Sequence, residues 1–371
     1  MRRALALLLV AAASVLSGCV AGVAGASDTC VHADAPLASL NLAEDVRTTT
    51  GGSTACLSSH GVTPIDDATT PDLPVTVMDA EGREVEITDV SRILPIDISG
   101  TIAATVFGLG LGEKVVGRDL STGFSGTEDL PVVTKSGHTL NAEAILELAP
   151  TVVLTDTSIG PKEVRQQLRE AGIPVVVVSS ERRVDTVDDL VHEVARSLGV
   201  PTRGEALVDR LETELEDARA EIATITPADT ADRARMLFLY VRGNANVYYI
   251  FGRDSGADSL IEAVGGVDVA DEIGWEGMKP MTAEALVAAQ PDVLVMMTEG
   301  LASVGGIDGL IERIPALAQT PAGQHRRVVD MADTEILSFG PRSAQIIRAL
   351  ARAVYAPADS PVSLASPSAT P

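Results

Sequence analysis

The chain has 371 residues, 46% of them hydrophobic, and a formal net charge of −24. That length supports two ordinary domains with buried cores. The acidity argues against nucleic acid as a partner, whose binding rests on basic surface, and against electrostatic recruitment to an anionic membrane.

The N-terminus, "MRRALALLLVAAASVLSGCVAG", runs from two arginines through a short apolar stretch to small residues ending at Cys19. That order is a secretory signal, and the apolar run is short of the ~20 residues a membrane span needs. Leu16-Ser17-Gly18-Cys19 resembles the bacterial lipobox. The resemblance implies removal of residues 1–18 and a lipid on Cys19, anchoring the chain at the extracytoplasmic face of the cell membrane. An ordinary secretory signal that contains a cysteine is the alternative. Cys30 and Cys56 remain, an even pair in an oxidising compartment, and a disulfide between them is the natural expectation. Two free thiols in a flexible segment would be the other reading; their spacing suggests no metal site.

Residues 19–72, rich in Ala, Thr, Ser, Gly and Asp without a sustained period, read as a lipid-anchored tether. Order begins at "LPVTVMDAEGREVEITDV", two β-rich runs around Glu81-Gly82 that predict a hairpin. "TIAATVFGLGLGEKVVGRD" then predicts a helix, glycine punctuation and a short strand. An internal repeat follows. "AEAILELAPTVVL" (142–154) and "AEALVAAQPDVLV" (283–295) agree at five of thirteen positions. Each reads as a short helix, a proline stop and a buried parallel-type strand, with Asn141 or Thr282 as N-cap.

The repeat predicts an α/β fold with two Rossmann-like lobes, at 73–183 and 227–355. Helical periodicity over 184–226, with Pro201 placed to open the longer helix, predicts a stiff connection and a ligand cleft between the lobes. The tail 356–371, "APADSPVSLASPSATP", is low-complexity and is expected to be disordered.

Within the second lobe, "LFLYVRGNANVYY" (237–249) holds three of four tyrosines in a chain that is 3% aromatic. On a strand, Met236, Phe238, Tyr240 and Arg242 share one face, and Leu237, Leu239 and Val241 the other. An arginine beside a phenol favours the phenolate, and a phenolate suits ferric iron. Tyr240 ends an apolar run before Gly243, at the carboxyl end of a strand where open α/β sheets bind ligands. His138, in "SGHTLN" after the strand-like "LPVVTK", is expected at another such end.

The lipobox, paired lobes, connecting helix, "KSGHTLNAEAI" and "LYVRGNANVYYIFG" together resemble the substrate-binding lipoproteins of ABC importers. The likeness covers roughly residues 74–355. It is to the stiff-hinged class that carries siderophores, haem and cobalamin, and within it to actinobacterial haem-binding members of the HmuT type. It implies haem as transported ligand, with His138 and Tyr240 as its iron ligands and Arg242 hydrogen-bonded to the tyrosine. It also implies that Glu143 and Glu284, each in a helix's first turn, dock an ABC permease with its ATPase. Cell-surface haem-binding proteins would be possible donors. Trp275 and Met278, in the Gly-rich "EIGWEGMKPM", are expected to cover a porphyrin face. His32, His60, His192 and His325 receive no role. A ferric-siderophore or cobalamin carrier is the alternative on the same fold. A secreted peroxidase-like haem enzyme is the weaker one, because ligation from both lobes would leave iron no open position.

Overall fold

The computed structural model describes residues 33–361 apart from positions 68 and 136. The predicted signal peptide, Cys19, Cys30 and His32 lie outside the described residues. Among those described, no helix is long and apolar enough to cross a membrane.

Residues 33–72 are part of the fold, not a tether. The strand β1 (Gly52–Ala55) pairs in parallel with Val328–Met331 of the second lobe. Its two middle residues, Ser53 and Thr54, are polar yet buried. Ser53 Oγ donates to the Ala353 carbonyl at 2.7 Å, and Thr54 Oγ1 to Asp330 Oδ1 at 3.1 Å. Such fully satisfied polar burial carries no hydrophobic period, so sequence pattern misses it. Cys56, just beyond β1, is disulfide-bonded. The segment then crosses to the first lobe and the connecting helices, where the Ile65 amide donates to the Gly108 carbonyl and the Asp72 amide to the Gly199 carbonyl. At the other terminus Ala356 is fully buried and the Pro361 carbonyl accepts from the Thr54 amide. Residues 356–361 therefore belong to the second lobe and not to a tail.

In the first lobe, β2 (Val75–Met78) and β3 (Glu84–Ile87) form the expected antiparallel hairpin. Next come β4 (Ile93–Ile96), β5 (Thr134–Lys135), β6 (Thr139–Leu140), β7 (Val152–Thr155) and β8 (Val175–Val177). The runs "ILPI", "VVLT" and "VVV" are buried throughout and build a parallel sheet in the order β4-β7-β8. Apolar runs of this kind suit strands covered on both faces. The short pair β5–β6 forms a separate antiparallel hairpin.

The connection is a helical pair, Val187–Ser197 and Pro201–Ala223. The longer has 23 residues, a rod of about 35 Å at 1.5 Å per residue. Pro201 opens it, and Leu207, Leu211, Leu215, Ala218 and Ile222 bury one stripe. Gly204 permits close crossing, since a Cβ there would stand 2.6 Å from that of Ala195.

The second lobe holds β9 (Arg235–Arg242), β10 (Val247–Phe251), β11 (Val267–Asp268), β12 (Met278–Pro280), β13 (Val293–Met297) and β14 (Val328–Met331). Strand order is β1-β14-β13-β9-β10-β12, with β11 beside the start of β9. β10 runs antiparallel to both of its neighbours, β9 and β12, and the remaining pairs are parallel. The repeat extends to the backbone. Ala149 and Gln290, at matching positions before the two prolines, both have φ of 44°, and β7 and β13 begin in register behind them. A left-handed non-glycine residue is uncommon, so its recurrence ties the two lobes together.

Candidate functional site

β9 presents its two faces as its sequence predicts. Leu237, Leu239 and Val241 join one apolar cluster, while Met236 and Phe238 join another, against which Tyr240 rests. Phe251 of β10 stacks on Phe238 at 5.1 Å and on Tyr240 at 5.5 Å between centroids, with planes 17–18° apart. Tyr249 stands directly opposite Tyr240 in the β9–β10 register, and Met278 opposite Phe251 in β10–β12. Directly opposed residues share a sheet face, so Tyr240, Tyr249, Phe251 and Met278 line one surface. Met278 is 61% exposed there.

Trp275 is not on that surface. It packs with Leu237, Leu239 and Val241 on the other face, its Nε1 donating to the Ile250 carbonyl at 3.1 Å. The Gly-rich loop's short return strand sets this: β12 places Met278 opposite Phe251 on the Tyr240 face and leaves Trp275 as cover for the opposite core.

Arg242 lies over the Tyr240 ring, with Cζ 4.5 Å from the centroid. Its Nη1 donates to the Val241 carbonyl at 3.0 Å and its Nη2 to Asp333 Oδ2 at 2.6 Å. Among the described residues no hydrogen bond joins it to the phenol oxygen, in contrast to the expected Arg–Tyr bond. The carboxylate of Asp333 takes the donor instead. Both Tyr240 and Arg242 are half-buried at the carboxyl end of β9.

His138 sits in the turn that follows β5, at the carboxyl end of that strand as expected, though β5 belongs to the small β5–β6 hairpin and not to the parallel sheet. Its Nδ1 is 3.5 Å from Ser121 Oγ, which itself donates to the Ile98 carbonyl at 2.6 Å. Burial, and then the positive charge of Arg242, hold the His138 pKa below its usual 6.5. The imidazole is therefore neutral at pH 7, with a nitrogen lone pair to offer. That Arg242 acts on His138 puts the two lobes' candidate ligands in one electrostatic neighbourhood.

Ile98 and Leu120, 46% and 49% exposed, flank Ser121 as bare apolar side chains on the first lobe's rim. Sequence reasoning missed both, though Ile98 directly follows the buried run that ends β4. Behind the rim, Asp97, Asp119 and Asp156 are almost completely buried. Arg182 reaches Asp156 at 2.7 Å and Asp97 at 3.4 Å. Asp119 instead takes the Asp97 and Thr122 amides, at 2.9 and 2.8 Å. With Arg182 turned to the other two carboxylates, burial and then the Asp97 charge push Asp119 up to about 7.

Glu143 and Glu284 are exposed in the first turns of Ala142–Glu147 and Ala283–Ala289. The Thr282 side chain caps its helix by accepting from the Ala285 amide, whereas Asn141 occupies the same position without a side-chain bond. Neither glutamate approaches Tyr240 or His138 through a described hydrogen bond or ion pair. A cavity of about 410 Å³ opens elsewhere, between the end of the long helix and the second lobe, lined by Arg219, Thr226, Arg233 and Glu262. It holds none of the candidate residues, so the site is placed by side-chain chemistry and not by that cavity.

Residues 97–334 match the family described as periplasmic binding protein. A solved structure of the heme-binding protein HmuT is 45% identical, covering 84% of this chain and 99% of its own, with a TM-score of 0.79. The periplasmic heme-binding protein RhuT from Roseiflexus sp. RS-1 is 39% identical over 72% of this chain and 98% of its own, with a TM-score of 0.65. The uncharacterized ABC transporter substrate-binding lipoprotein YvrC of Bacillus subtilis is 26% identical over 287 residues, 76% of this chain and 86% of that protein.

Proposed function

This chain belongs to the periplasmic binding protein family, and from that premise we propose that it captures haem outside the cytoplasm for an ABC importer. Haem is its transported ligand, as in the heme-binding proteins it resembles over most of its length. The reading assigns iron ligation to His138 from the first lobe and Tyr240 from the second, with Met278, Ile98 and Leu120 as apolar contacts for the porphyrin.

The observation that carries this assignment is geometric. At the carboxyl end of β9 a phenol lies under a guanidinium, Arg242 Cζ being 4.5 Å from the Tyr240 ring centroid. Half-buried His138 contacts Ser121 of the first lobe, two residues from Gly123, which packs on Thr334 of the second. Haem iron takes nitrogen and phenolate oxygen as axial ligands. The stacked Phe238, Phe251 and Tyr240 fix the phenol's ring plane, which keeps its oxygen aimed without ordering cost at capture.

Glu143 and Glu284 are the proposed docking points for the permease. Their support is exposure at repeat-related positions on separate lobes. A lipid on Cys19 would hold the protein at the outer face of the cell membrane; the Leu16–Cys19 motif supports this. Ligand capture for transport, without turnover, is the chemistry assigned. The test is a visible-spectrum titration with ferric haem, run on the parent and on His138→Ala/Tyr240→Ala. Saturable binding in the parent and its near-abolition in the double variant is expected. Equal binding by both would defeat the ligand pair, and no spectral change in either would point to another chelate.

A further inference from the structure

Arg242 divides one positive charge between two groups at this site, the Asp333 carboxylate and the Tyr240 phenol. Its Nη2 is already committed to Asp333 Oδ2 at 2.6 Å, in an ion pair with side chains 30% and 15% exposed. Its Nη1 is held by the Val241 carbonyl, and Met297 Sδ lies 3.6 Å from Nη2. Asp333 is itself fixed, because its other oxygen accepts the Glu299 amide at 2.9 Å. The guanidinium therefore lies over the Tyr240 ring with Nη2 turned to Asp333, and no hydrogen bond to the phenol oxygen is made among the described residues.

We propose that Asp333 is a positioning residue for haem exchange: it competes with the Tyr240 phenolate for Arg242, and so keeps the captured haem releasable. This rests on the reading of Tyr240 as an iron ligand. A carboxylate in contact with the guanidinium turns a full positive charge into a dipole as seen by the phenolate, which weakens its stabilisation. For a carrier that must hand its cargo on, a grip held below its maximum is useful.

Asp333 also stands at the seam between the lobes. Its neighbour Thr334 faces Gly123, where a Cβ would come within 2.7 Å of the Thr334 methyl. The Thr334 carbonyl is pinned at 3.1 Å by the buried Arg342. Two residues before Gly123, Ser121 contacts His138. A run of contacts thus joins His138, Ser121, Gly123, Thr334, Asp333, Arg242 and Tyr240.

The experiment is stopped-flow transfer of ferric haem to excess apomyoglobin, with the visible spectrum recorded for each complex. Asp333→Asn keeps the shape, removes the charge, and should slow haem loss about fivefold, the upper range for an exposed ion pair. The phenolate-to-iron charge-transfer band should move to shorter wavelength. Asp333→Glu, which keeps the charge, should restore the parent rate. In a Tyr240→Phe background the Asn change should have no effect on rate. Unchanged or faster loss in Asp333→Asn overturns the proposal, as does an equal effect in the Tyr240→Phe background. Should asparagine prevent folding, Asp333→Ser makes the same test. A parent-like haem spectrum in Tyr240→Phe would defeat the ligand reading itself, an outcome separate from the failure of Asp333.

Discussion

Asp119→Asn should change how stability depends on pH. The parent carboxyl is enclosed with Asp97 and Asp156 and their guanidinium partner Arg182, and is pushed from 3.8 to about 7. A group whose folded pKa exceeds its unfolded value contributes stability that is complete below the unfolded pKa. That contribution is lost as pH rises through the folded pKa. Between pH 5 and 8 the parent should lose about 3 kcal/mol from this carboxyl, at about 1.4 kcal/mol per pH unit up to its titration. The asparagine cannot ionise and escapes that loss. It does surrender one of two acceptor bonds, to the Asp97 or Thr122 amide, at about 1 kcal/mol. Because the unfolded carboxyl already ionises above 3.8, the parent has lost about 1.6 kcal/mol by pH 5 and about 4 kcal/mol by pH 8, so the variant should be about 1 kcal/mol more stable than the parent at pH 5 and about 3 kcal/mol more stable at pH 8. Urea unfolding of the haem-free proteins at pH 5, 6, 7 and 8 reads this directly. A constant difference across that range would refute the reasoning, since it would mean that the buried carboxyl does not retain its proton.

Charge reversal at both rim positions, Glu143→Arg with Glu284→Arg, should leave haem affinity near the parent value while uptake through the cognate permease collapses. Weakened binding with intact uptake would instead place these carboxylates in the ligand site. Gly123→Val drives a branched side chain into Thr334, whose methyl stands 2.7 Å from where a Cβ on residue 123 would fall. It should cost about 1–3 kcal/mol in urea unfolding and weaken haem binding, because both ligands' supports meet at that seam; parent-like affinity would show that the seam is slack.

What was legible in the sequence is what side-chain periodicity encodes. The alternation along 236–242 gave the correct face for Tyr240 and Arg242, because a two-sided core forces apolar residues onto both parities. The repeat at 142–154 and 283–295 gave the two lobes, and its shared stop reappears as the left-handed Ala149 and Gln290. β1 was hidden because Ser53 and Thr54 are buried through hydrogen bonds and not through apolar contact. Asp333 lies 91 residues from Arg242 in sequence, and nothing local marks it as the partner. Trp275 was misplaced because an aromatic residue in a glycine-rich loop has no period to assign its side. The register of β12 puts Met278 opposite Phe251, on the same sheet face as Tyr240, while Trp275 packs on the other.

The central claim is that ferric iron is held between His138 and Tyr240. Resonance Raman spectroscopy of the ferric haem complex, excited in the phenolate charge-transfer region, tests it most directly. Tyrosinate ring modes with an iron–oxygen stretch should appear in the parent, persist in His138→Ala as a five-coordinate complex, and vanish in Tyr240→Phe. A parent spectrum without tyrosinate modes, or one that survives Tyr240→Phe, would contradict the account.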